Sequence, residues 1–252
     1  MTTSAKSNIN TGFVTTEDNI KIAYNHYLSG HNTVLIVAHG WFMSKDSLAF
    51  KAIAKSFENN FDVITFDFRG HCKSNGLYSF GHNETKDLSA IVDYAKTRYK
   101  QIYLMGFSLG SLISIDYCAN NDNIEKLILV SAPTDFKKIE NNVFSPNAFI
   151  PTFKKFEFKR WTSIQFTHPF KRKPVPIEQI GKVSIPVLFI GGTNDPIIRI
   201  WHNRDLFNKA NEPKKELIIK GGKHAEDIYL ENKEIFVNSC IEWLRGDDKC
   251  QI

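Results

Sequence analysis

Gly106-Phe107-Ser108-Leu109-Gly110 lies between an apolar run, Gln101 to Met105, and a helix-like run, Leu109 to Ala119. The pattern is Gly-x-Ser-x-Gly set between a strand and a helix. A sharp strand-to-helix turn needs small residues two positions either side of the serine, because a Cβ there would collide with neighbouring backbone. The turn projects the hydroxyl upward and aims the backbone N–H groups that follow at a nearby anion. A serine held in this way is a candidate covalent nucleophile. Serine is also a frequent helix N-cap, but a capping role accounts for neither flanking glycine.

Outward from this turn the chain alternates. Ile20 to Tyr27 reads as an edge hairpin strand following Gly12 to Thr16. Continuous apolar runs follow at Thr33–Ala38, Phe61–Phe68, Gln101–Met105, Lys126–Val130, Ile185–Ile190 and Glu216–Ile219. Such runs predict strands buried on both faces, as in a parallel sheet. Helical patterns separate them at Ser47–Phe57, Glu84–Tyr99, Leu109–Ala119, Arg199–Ala210 and Ala225–Leu244. Leu88, Ile91, Val92 and Ala95 share one helical face, and Ile228, Ile235, Cys240 and Trp243 are the expected buried positions of the last helix. Strand and helix in alternation predict an α/β fold with a doubly wound, mostly parallel sheet.

Composition narrows the classes. The 252 residues are 42% hydrophobic and 23% charged, ordinary for a globular protein with a sizeable core. A net charge of +5 does not by itself imply nucleic acid, and Lys171-Arg172-Lys173 is too short to argue for it. No segment approaches the roughly 20 apolar residues that span a bilayer, and Met1 to Asn10 lacks the apolar core of a signal peptide. Cys72, Cys118, Cys240 and Cys250 have no Cys-x-x-Cys spacing and read as free thiols in a reducing compartment. The expectation is a cytoplasmic enzyme formed by one domain.

One stretch breaks the rhythm. Phe136 to Lys182 is too long for an ordinary loop. It carries ten Lys or Arg against three Glu, and nine aromatics that include Phe153, Phe156, Phe158, Trp161, Phe166 and Phe170. It reads as a small inserted cap. Its phenylalanines are core packing over the site or an acyl pocket; its charges are a solvated face or a docking face for anionic substrates and lipid surfaces.

Reactive groups in open parallel sheets gather at the carboxyl ends of strands. His39-Gly40-Trp41-Phe42 follows the first parallel strand, Gly191-Gly192-Thr193-Asn194-Asp195-Pro196 the fifth, and Gly221-Gly222-Lys223-His224 the sixth. With Asp67-Phe68-Arg69-Gly70-His71 and the turn at Ser108, these elements resemble the α/β-hydrolase superfamily, whose triad runs serine, acid, histidine along the chain. The resemblance covers about Ile20 to Leu244. Within the superfamily the chain is most similar to small bacterial serine hydrolases of the esterase and lysophospholipase-like branch. It departs from the family pattern at Cys72, where a glycine is frequent, and at Lys223, where smaller residues are.

The resemblance implies an α/β-hydrolase fold of about eight strands and a role for each matching residue. Ser108 would be the nucleophile. His224 would be the base, since an imidazole titrating near ~6.5 can take and return a proton. Asp195 would fix its tautomer, with Asp135 as the rival acid. The N–H groups of Leu109 and Trp41 would receive the oxyanion, with Phe42 as the other candidate for the second donor. The implied activity is hydrolysis of a small-molecule ester or thioester, with no metal and no cofactor. Peptidase, acyltransferase and membrane-docked lipase chemistry would use the same apparatus, and a non-catalytic binding protein would share the fold. Oligomeric state is not legible.

Overall fold

Each apolar run becomes a strand of one eight-stranded sheet, ordered β1-β2-β4-β3-β5-β6-β7-β8. The strands are β1 (Asn8–Thr15), β2 (Lys21–Leu28), β3 (Thr33–Ala38), β4 (Asp62–Phe66), β5 (Gln101–Phe107), β6 (Lys126–Val130), β7 (Val187–Gly192) and β8 (Lys214–Ile219). The computed structural model describes residues 8–139, 162–163 and 175–246. Most of the expected cap, including Phe153, Phe156, Phe158, Trp161, Phe166 and Phe170, lies outside the described residues, as does Cys250. β2 pairs antiparallel with both β1 and β4, and the pairings from β4 through β8 are parallel.

Strand alternation explains the layers. Along β3, Val34, Ile36 and Ala38 join one core cluster while Leu35 and Val37 join the other. Successive side chains point to opposite faces, so a continuous apolar run fills two cores at once. Helix α2 (Glu84–Lys96) seals the first with Leu88, Ile91, Val92 and Ala95, together with α3 (Leu109–Cys118). Short α4 (Pro176–Gln179) leads to Ile180 and Val183 in the same layer, and α5 (Ile200–Lys209) adds Leu206. Helix α1 (Leu48–Phe57) seals the second with Phe50, Ile53, Ala54 and Phe57, together with α6 (Glu226–Glu231) and α7 (Lys233–Arg245). The sheet is thus doubly wound, the α/β-hydrolase architecture. Among the described residues, no helix is long and apolar enough to cross a membrane.

Two expectations are corrected. Ala225 to Leu244 is not one helix: the backbone breaks at Asn232 (φ −135°, ψ 40°), whose side-chain amide donates to the Ile228 carbonyl at 3.2 Å. Asparagine competes with the helical ladder in this way. The break resets the helical phase, so Phe236 is buried while Ile235 is 50% exposed. The second correction is at the sheet's edge. β2 is not the edge strand, because β1 pairs outside it along its whole length, from Asn8 opposite Leu28 to Thr15 opposite Lys21.

A buried relay ties β2 to the far end of α2. Tyr99 donates its hydroxyl proton to Asp62 at 2.6 Å, so the phenol oxygen accepts from His26 Nε2–H at 2.6 Å. His26 Nδ1 is then left to accept from the Tyr94 hydroxyl at 3.1 Å. Burial pushes the His26 pKa down from 6.5 to about 4. The unfolded chain therefore takes up this proton first as pH falls, and the stability contributed by neutral His26 is present above pH 6.5 and lost between 6.5 and about 4. In urea titrations the stability difference between wild type and His26→Gln is expected to narrow by up to about 3 kcal/mol over that window. A difference independent of pH would mean that His26 is not held neutral.

Candidate active site

Strand β5 runs to Phe107 and helix α3 starts at Leu109, so one residue makes the whole turn. Ser108 stands at φ 53°, ψ −117°, a region that costs a residue bearing a Cβ about 1–3 kcal/mol. The flanking glycines make the turn possible. A Cβ on Gly110 would lie 2.4 Å from the Ala38 carbonyl oxygen and 2.5 Å from that of His39, and one on Gly106 would lie 2.7 Å from the Ser111 Cα. The Ser108 N–H donates to the Val130 carbonyl at 2.8 Å, and the Ser108 carbonyl accepts from the Ser111 N–H at 2.9 Å, opening α3.

Asp195 and His224 arrive on strand ends further along the sheet, beyond β6. Asp195 follows β7, and its Oδ1 accepts the N–H groups of Ile197 and Ile198 at 2.9 and 2.8 Å. His224 follows β8. Close backbone packing joins the two loops: a Cβ on Gly192 would lie 2.2 Å from the Gly222 carbonyl oxygen, and the Asn194 N–H donates to that oxygen at 2.9 Å. His224 Nδ1 lies 2.8 Å from Asp195 Oδ2 and 3.0 Å from Oδ1, and its Nε2 lies 3.0 Å from Ser108 Oγ. The structure thus brings together the three side chains picked from the sequence. All are nearly buried, with the His224 side chain 12% exposed.

The other candidates fall elsewhere. Asp135 caps the short turn Phe136–Lys138, accepting the Lys137 N–H at 2.8 Å. Lys223, the unexpected bulk before the histidine, turns outward onto Glu231. Cys72 stands at φ 44°, the left-handed region that explains why a glycine is frequent there.

The loop after β3 lies against the serine, since a Cβ on Gly40 would meet the Ser108 Cβ at 3.0 Å. Phe68 N–H donates to His39 Nε2 at 3.1 Å, so the ring proton sits on Nδ1 and is donated to the Gly40 carbonyl at 2.6 Å. Among the described residues, neither the Trp41 N–H nor the Leu109 N–H donates to a backbone carbonyl outside its own helix or strand. Phe42 differs: its N–H donates to His71 Nε2 at 3.3 Å and is already engaged. An aromatic wall stands beside this loop, from Trp41 to Phe80 at 6.0 Å and on to Phe136 at 5.5 Å.

Sequence reading missed how this loop is anchored. Asp67, fully buried, accepts from Ser44 Oγ at 3.0 Å and from the Lys45 N–H at 2.9 Å. Burial pushes the Asp67 pKa up to about 6, against the pull of Lys45. Arg69 holds Asp87 and Asp18 in paired contacts of 2.6 to 3.0 Å. The signal was present in Asp67-Phe68-Arg69-Gly70-His71, a charged motif closing an apolar strand, but its partners are distant in sequence. Among the described residues, no cluster of three His, Cys, Asp or Glu side chains is arranged to hold a metal ion.

Gly110→Ala is expected to lower stability by about 1–3 kcal/mol in urea unfolding, because the new methyl meets two backbone carbonyls that cannot retreat without opening the sheet. An unchanged midpoint would mean that α3 shifts freely.

A family model described as "alpha/beta hydrolase fold" matches residues 33–158. Alpha/beta hydrolase domain-containing protein 17B of Xenopus laevis is 26% identical over 215 residues, covering 81% of this chain and 65% of that protein. The chain therefore spans under two thirds of that relative's length. Among solved structures, an esterase of Pyrococcus furiosus superposes with a TM-score of 0.77 at 22% identity, covering 95% of this chain and 93% of that one. A bromoperoxidase from Bacillus anthracis gives 0.75 at 19% identity, covering 94% and 100%. At these identities the two structures testify to the fold.

Proposed function

The chain belongs to the alpha/beta hydrolase fold family, and on that footing we propose that it is a serine hydrolase cleaving a carboxylic ester or thioester through an acyl-enzyme on Ser108. The observation that supports this reading most directly is the hydrogen-bonded line from Asp195 through His224 to Ser108, with contacts of 2.8 and 3.0 Å. A hydroxyl is a weak nucleophile near neutral pH and needs an oriented base within hydrogen-bond reach. Asp195 holds the ring proton on Nδ1, which leaves the Nε2 lone pair facing the serine.

Each step follows from that arrangement. His224 Nε2 takes the hydroxyl proton as Ser108 Oγ attacks the carbonyl carbon. The carbonyl oxygen becomes an oxyanion, received by the N–H groups of Leu109 and Trp41. Collapse breaks the bond to the alcohol or thiol, which leaves with the proton that His224 carries. Water then enters, gives a proton to His224 and attacks the acyl carbon. Ser108 departs with that proton and the acid is released. Leu109 also benefits from the start of α3, where unpaired N–H groups favour negative charge.

The bulk of the leaving group and the length of the acyl chain fall to the segment 136–182, which we take as a cap within one domain. A cytoplasmic setting fits this chemistry, and a small-molecule substrate is the partner it requires.

With p-nitrophenyl butyrate as substrate, Ser108→Ala is expected to abolish turnover and labelling by a fluorophosphonate probe. Full retention of both would remove the proposal. Asp195→Asn should lower kcat by about 10³–10⁴, the scale of losing the tautomer-fixing acid. Asp135→Asn should leave kcat within about twofold, as for a surface substitution. The reverse ranking would move the acid to Asp135.

A further inference from the structure

We propose that His71 is a positioning residue that selects Trp41, rather than Phe42, as the second oxyanion donor. This inference rests on the serine hydrolase reading above. Two peptide groups flank Trp41. The first joins Gly40 to Trp41, and its carbonyl is held by His39 Nδ1–H at 2.6 Å. In a trans peptide the C=O and N–H point in opposite directions. Gripping that carbonyl from the buried side therefore turns the Trp41 N–H away from His39. The second joins Trp41 to Phe42, and its N–H is held by His71 Nε2 at 3.3 Å. With both planes held, the two backbone torsions of Trp41 are fixed.

The hold on Phe42 is built with some care. Its φ of 59° is the left-handed turn that a bulky residue avoids, so the conformation persists because neighbours impose it. His71 is fully buried and wedged between two rings, His39 at 4.8 Å and Tyr78 at 4.6 Å between centroids. To accept from Phe42, its Nε2 must carry no proton. The Arg69 carbonyl, 3.2 Å from Nδ1, provides that condition by taking the proton on the other nitrogen. Arg69 is itself locked by Asp87 and Asp18. A continuous set of contacts thus leads from Asp18, exposed at the periphery, to the torsions of Trp41. Without the imidazole acceptor, the Phe42 N–H would lose its buried partner and the loop would be free to turn that N–H toward another acceptor.

Two amides separate positioning from packing. His71→Asn keeps a donor near Nδ1 for the Arg69 carbonyl but loses the acceptor for Phe42. His71→Gln places an acceptor near Nε2 but loses the donor. With p-nitrophenyl butyrate, His71→Asn is expected to lower kcat by about 10–100-fold with KM within about threefold, as for partial loss of an oxyanion donor. His71→Gln should exceed His71→Asn in kcat by about tenfold or more. A trifluoromethyl ketone, whose adduct carries the oxyanion, should bind more weakly to His71→Asn in proportion to its loss of kcat/KM. Equal losses in the two variants, or kcat loss without weaker ketone binding, would overturn the assignment. So would wild-type kcat in a folded His71→Asn. Ser108→Ala assayed alongside separates the layers: if it retains turnover, the serine reading fails; if it is inactive while His71→Asn equals wild type, only the role of His71 fails.

Discussion

The backbone at Ser108 is forced into a conformation that a residue with a Cβ avoids, and the arrangement around it depends on keeping it there. The force is steric exclusion on both sides. Gly106 lets α3 descend onto β5, and Gly110 lets it touch the carbonyls that end β3. Were α3 to rise by a bond length, the serine would leave both its hydrogen-bonding histidine and the loop after β3. The strain at one residue is small against the burial along two cores, and those cores hold the helix down.

The same constraint explains which parts were legible in the sequence. Six strands and the turn at Ser108 could be read because each satisfies a local rule: a continuous apolar run, buried on both faces in all but the edge strand β8, or glycine where a Cβ collides. Asp195 and His224 were legible because loops at strand ends follow the strands that were already placed. Asp135 stood as a rival to Asp195, which was preferred because Gly-x-x-Asp follows its strand directly; in the structure the Asp135 carboxylate is turned to cap its own loop.

What stayed hidden depends on partners far apart in the chain. The burial of Asp67 against Ser44 and Lys45, and the grip of His71 on Phe42, each join segments more than 20 residues apart. Nothing in Phe42 itself announces a left-handed turn. The break at Asn232 was hidden for a different reason: Ala225 to Leu244 keeps enough apolar spacing to look continuous, and the asparagine looks like one more surface residue. β1 was hidden because its residues are mostly polar and exposed, so no hydrophobic alternation marks it.

The hydrogen-bond ladder of the sheet does not stop where the strands stop. Ser108 donates to Val130, Ser131 to Ile190 and Thr193 to Ile219, each bond linking one strand end to the next. The serine, acid and histidine loops are therefore continuations of a single cross-linked edge. They have little freedom to loosen one at a time. In thermal terms, the hydrogen-bonded line of Asp195, His224 and Ser108 and the central sheet form one cooperative unit, and heating should melt them together rather than unpick that line in a protein that is still folded.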